Sequence, residues 1–157
     1  MSPADLQILQ VTLQALSAFA IAGGVLYTAF QFREGRKAQA VANFAKLVEL
    51  QYQLRRMRVE HPSLASVHKH DVEHLHSDRE IQEYFLSLMQ LSLFEIAWYA
   101  HRQDQLPDDY FRSWEKRLWQ LGKEDSFRRM LDNPAMKIMH DDFATYVHAL
   151  VRKPVSP

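Results

Sequence analysis

The chain has 157 residues, enough for one domain with an appendage, and its 47% hydrophobic and 24% charged content excludes a disordered polymer. Lysine plus arginine equal aspartate plus glutamate at 19 each, so no excess of positive charge points to nucleic acid and no such partner is expected. The absence of cysteine excludes disulfides, thiolate metal sites and a cysteine nucleophile, and the four glycines build no phosphate-cradling loop.

From Leu6 to Phe32 no residue is charged. A helix rises 1.5 Å per residue, so about 20 apolar residues cross a hydrocarbon core of roughly 30 Å. The most apolar stretch is Leu13 to Phe32, while Gln7, Gln10 and Gln14 make the first third amphipathic. Tyr27 and Phe32 suit an interfacial region, and the basic residues Arg33, Arg36 and Lys37 follow at once. The pattern predicts a single transmembrane helix within residues 1–32. By the positive-inside rule, Asp5 lies outside and everything beyond Arg33 is cytoplasmic.

Two other readings compete. Ala18-Phe19-Ala20 and Ala20-Ile21-Ala22 have the form of signal-peptide cleavage sites. The leading residues nevertheless carry Asp5 and no lysine or arginine, and the apolar run continues past both sites. A long helix in the core of a soluble protein is the other reading. Gly23 and Gly24 lie mid-span, where together with Ala15, Ser17, Ala18 and Ala22 they would let a partner helix approach closely. With no histidine, aspartate, glutamate, lysine or arginine in the span, anchoring is expected rather than a proton or ion pathway.

Beyond the span, the spacing predicts an all-α domain over 33–153, an antiparallel bundle into which the first helix continues, and a tail at 154–157. Ala38 to Val59 carries two apolar stripes, Val41, Phe44, Val48, Tyr52 and then Leu47, Leu50, Leu54, Met57, which predict a broad buried face. Pro62 ends this helix, and 61–77 reads as a polar connection. Ser77-Asp78-Arg79-Glu80 has the form of a capping box and opens a helix to about Gln103, with Ile81, Tyr84, Phe85, Leu88, Leu91, Phe94 and Trp98 inward. Leu106-Pro107-Asp108-Asp109 starts the next helix, with Phe111, Trp114, Leu118 and Leu121 inward and Gly122 as its stop. Ser126 to Leu131 forms a short helix. Pro134, at a first helical position, opens a last helix with Met136, Met139, Phe143, Tyr146 and Leu150 inward.

Candidate sites are few. His70 and His74 would share one face of a helix at i, i+4 within the cluster His68, His70, Asp71, His74, His76. That spacing can hold a divalent metal, with Asp71, Glu73 or His140 as a third ligand. The simpler reading is a histidine-rich solvated connection, and no cofactor is expected. Glu95 sits on the otherwise apolar line Tyr84, Leu88, Leu91, Glu95, Trp98. A carboxylate there needs a partner, for which Arg55, Arg56 and Arg112 are candidates. It is either a general acid or base or, as favoured here, a structural buried charge. Tyr110 and Trp119 fall off the main stripe and are candidate partner contacts.

Leu91-Ser92-Leu93-Phe94-Glu95, Leu106-Pro107-Asp108, Trp114 to Leu118 and Phe143-Ala144-Thr145-Tyr146-Val147 follow a span and a basic helix. In this arrangement the chain resembles a group of small bacterial membrane-anchored helical proteins to which no activity is attached. The resemblance implies the same architecture and a bacterial inner membrane. With no catalytic set visible, the expected function is a non-catalytic interaction module, an accessory or scaffold subunit whose partners are the bilayer and other membrane subunits or itself. The alternatives are a signalling or defence-type effector and a metal-dependent enzyme using His68 to His76.

Overall fold

The computed structural model describes residues 3–152, apart from the side chains of His68 and Lys69; the expected tail at 154–157 lies outside the described residues, as does the side chain of His68. Among the described residues all regular structure is helical. The α-helices are α1 Pro3–Glu60, α2 Lys69–Val72, α3 Asp78–Arg102, α4 Asp108–Leu121, α5 Asp125–Asp132 and α6 Asp141–Val151, with a 3-10 segment at Pro62–His68. The chain divides into two compact units, 1–39 and 40–157.

The first unit consists of the N-terminal part of α1. Its large apolar side chains, among them Leu13, Phe19, Leu26 and Phe32, are all exposed. Two hydroxyls in this stretch are returned to their own helix: Thr12 Oγ1 donates to the Ile8 carbonyl at 2.9 Å and Thr28 Oγ1 to the Gly24 carbonyl at 2.8 Å.

The second unit is built on α3, whose inward positions follow the sequence pattern. Tyr84, Phe85, Leu88, Leu91, Phe94 and Trp98 are all buried, and Phe127, Phe143, Leu118 and Met130 from the later helices complete the core. Ser77 caps α3 by accepting from the Glu80 backbone N–H at 3.3 Å, and the Glu80 carboxylate accepts from the His76 N–H at 2.7 Å. At the far end Asp104 takes φ 60°, a left-handed turn that aspartate tolerates.

Three expectations are corrected in this unit. The C-terminal part of α1 packs only the first of its two apolar stripes, and that in part, with Val41 and Phe44 half-buried and Tyr52 37% exposed. Val48 is buried and the Phe44 ring lies 4.8 Å from that of Tyr99, whereas Leu47, Leu50, Leu54 and Met57 are 49–64% exposed. At about 100° per residue the two stripes lie roughly 140° apart around the helix, so one layer of neighbours covers only one. Next, 61–77 is more than a polar connection. The 3-10 segment and α2 bring Ala65 to full burial and pack Val72 and Leu75 on the core. Finally, the last helix starts at Asp141 and not at Pro134, and Met136 is 83% exposed. Asn133 Oδ1 accepts from the Ala135 N–H at 2.8 Å, a local turn that diverts the chain from helix. The negative pair Asp141-Asp142 then occupies the first turn, where the helix dipole favours it.

Gly122 does end α4, but for a reason the sequence does not carry. Its backbone is right-handed, φ −61° and ψ −10°, so no positive φ demands glycine. A Cβ there would stand 2.7 Å from both Val151 Cγ atoms, so glycine admits the close approach of α6.

Candidate functional site

The most chemically specific arrangement centres on Glu95. Its place on the buried face of α3 leaves it 3% exposed, as its position on an apolar stripe predicts. The partner is not one of the expected arginines but His140. Glu95 Oε1 accepts from the His140 backbone N–H at 2.7 Å and lies 2.9 Å from its Nδ1. The arginines are occupied or remote. Arg56 donates to Glu60 at 2.7 Å, Arg112 lies on the exposed face of α4, and Arg55 donates to Ser92 Oγ and, at 3.0 Å, to the Leu88 carbonyl. Burial lowers the Arg55 guanidinium from its ordinary value, against the opposing pull of Tyr84 and Glu95.

His140 caps the start of α6, so the carboxylate sits where the dipole of that helix favours negative charge. The imidazole stacks on Tyr99 at 5.3 Å between ring centres and meets Phe44 edge-on at 5.1 Å. With Nδ1 as the donor, the carboxylate sets both the tautomer and the orientation of the ring. Nε2 then makes no protein hydrogen bond among the described residues. A carboxylate–imidazole pair of this kind can orient a base, but among the described residues no serine or threonine hydroxyl is bonded to it. The pair joins the start of α6 to α3.

The histidine cluster does not assemble as its spacing suggests. α2 stops at Val72, so His70 lies in the helix and His74 in the turn after it, and the two do not share a helical face. His70 is largely exposed and its Nε2 lies 3.0 Å from Asp71 Oδ1, while Asp71 Oδ2 accepts from Arg58 at 3.2 Å. Among the described residues no three histidine, aspartate or glutamate side chains are close enough to hold a metal ion.

Of the remaining candidates, Gly23 and Gly24 face open space, with nothing within 4 Å of a Cβ built on either. Arg33 and Arg36 are exposed, and Lys37 Nζ pairs with Glu34 at 3.2 Å. Tyr110 is exposed as expected. Trp119 is not a free contact residue: it is half-buried against the core, and Lys123 Nζ lies 3.5 Å from its ring centre. The sequence reading missed the outward stripe Leu47, Leu50, Leu54 and Met57 as a surface, having assigned it to the core. A signal was present, since two stripes so far apart around one helix cannot both face one neighbour. No family model, curated protein or solved structure matches the chain.

Proposed function

We propose that this protein is a membrane-anchored helical interaction module. In this reading the apolar part of α1 spans the bacterial inner membrane with its N-terminus outside. The later helices form a cytoplasmic antiparallel bundle that docks, as an accessory or scaffold subunit, on a larger membrane assembly. The observation that carries the docking role is the exposed stripe Leu47, Leu50, Leu54 and Met57, on a helix whose other side packs into its own domain. A contiguous apolar surface of this kind on a folded domain marks an interaction site. The anchoring role is supported by a segment of α1 long and apolar enough to cross a bilayer, none of it buried. The Arg33 and Arg36 flank supports the orientation by the positive-inside rule. Glu95 and His140 are read as structural, because their bonds join α3 to the start of α6.

Two measurements test this. A reporter fused after Pro157 should be active only in its cytoplasmic form; periplasmic activity overturns the orientation. The detergent-purified protein should carry a stoichiometric membrane partner. The pair Leu50→Glu and Leu54→Glu should release it without loss of helicity, and an unchanged partner complement refutes the docking face.

A further inference from the structure

The polar residues of the apolar segment are not scattered. Positions 7, 10, 14, 17, 21, 24, 28 and 31 repeat at alternating intervals of three and four, which is heptad spacing. All four glutamines between Leu6 and Phe32 fall on this line, as do Ser17 and Thr28; Ile21 and Gly24 are its two positions without a polar side chain. The polar residues off the line are Thr12 and Tyr27. The Thr12 hydroxyl is returned to the Ile8 carbonyl, and the Tyr27 hydroxyl accepts from Gln31 Nε2 at 2.8 Å. Since α1 is helical from Pro3 onward, the line is a seam along one face, and every residue on it is exposed.

We infer that this seam is a self-association surface, along which two copies of the chain pair in parallel in the membrane. The inference rests on the membrane reading above and adds the partner. An amide carries donors and an acceptor, and leaving them unpaired in hydrocarbon costs several kcal/mol. Gln14 lies inside the Leu13–Phe32 stretch, with Gln10 and Gln7 one and two turns ahead of it toward the interface; none of the three makes a hydrogen bond among the described residues, and a glutamine side chain does not fold back on its own helix as a threonine hydroxyl does.

A second copy is the occupant that answers this directly. All copies insert in one orientation, so a two-fold axis along the membrane normal brings each glutamine opposite itself at the same depth. There the amide is its own complement, donor to acceptor. A foreign helix would need its own polar ladder at the same spacing. The 3.5-residue period selects the left-handed crossing of about 20°, and Gly24, with open space where a Cβ would stand, admits a close backbone.

The chain contains no cysteine, which makes the test direct. Single substitutions along the seam (Gln10→Cys, Ser17→Cys, Gly24→Cys, Thr28→Cys) and off it (Val11→Cys, Phe19→Cys, Leu26→Cys) are oxidised in native membranes carrying the full chain. Disulfide dimers should peak at the seam positions with a 3.5-residue period and fall to background elsewhere. Gln10→Leu with Gln14→Leu should lower the dimer fraction of Thr28→Cys roughly tenfold. Uniform or absent cross-linking, or maxima on another face, overturns the pairing, including the case in which a foreign helix occupies the seam. Carbonate extraction of the same membranes separates the two claims. Chain that stays in the pellet without seam cross-links refutes the pairing alone. Chain that is extracted refutes the membrane reading and, with it, the pairing in the membrane.

Discussion

Glu95 offers the sharpest test of how this domain is held together. Replacing it with alanine strips the acceptor from both the His140 backbone N–H and Nδ1, at a site 3% exposed. A hydrogen bond to a charged acceptor contributes about 1.5–3 kcal/mol. Two such bonds, offset in part by removing the cost of a buried carboxylate, give an expected loss of about 2–4 kcal/mol for Glu95→Ala. Both donors meet the same oxygen, Oε1, so Glu95→Gln keeps a neutral acceptor for both but loses the charge that strengthens the bonds, and should lose about half as much. For a domain of this size the alanine loss corresponds to a fall in Tm on the order of 10 °C. Thermal unfolding of both variants beside the parent, in one detergent, gives the comparison. Hydrogen exchange adds the location: because the lost bonds hold the residue that caps α6, amides of 141–151 should open before those of α3. If Glu95→Ala melts with the parent, the carboxylate does not hold α6 and the structural role fails.

Gly122→Ala should destabilise by about 1–3 kcal/mol through overpacking, since its Cβ would lie 2.7 Å from the Val151 methyls. Adding Val151→Ala should recover part of the loss, and a Gly122→Ala variant as stable as the parent contradicts this. Burial pushes the Tyr84 phenol up to about 12, and burial together with the Glu115 hydrogen bond raises Tyr146 further. The unfolded chain therefore ionises both first, so stability is intact below pH 10.0 and falls as pH rises from there through 12. Denaturation midpoints across that window should flatten in Tyr84→Phe; an unchanged slope in the variant refutes the assignment. The double change His70→Ala, His74→Ala should shift stability by no more than about 0.5 kcal/mol. A stoichiometric metal ion bound by the parent and lost in the variant would overturn the solvated-connection reading.

What the sequence determined by itself is local. Apolar residues at three- and four-residue spacing, with Ser77 and Glu80 as a capping box, suffice to specify α3 and its inward face, because periodicity and capping act within one or two turns. The uncharged run to Phe32 is legible for the same reason: its character is compositional. The isolation of Glu95 on an apolar stripe was also readable, since a helix sets which side chains share a face. What required the tertiary structure is each decision between elements remote in the chain. Glu95 meets His140 rather than an arginine because the 133–140 segment leaves helix at Asn133 and brings the start of α6 back against α3, 45 residues away. Leu47, Leu50, Leu54 and Met57 are as apolar in character as a core stripe, and only the placement of neighbouring helices decides that Val48 is covered and they are not. Gly122 reads as a helix stop in any sequence. That it also makes room for Val151 depends on packing between α4 and α6, a close steric contact that no local pattern encodes.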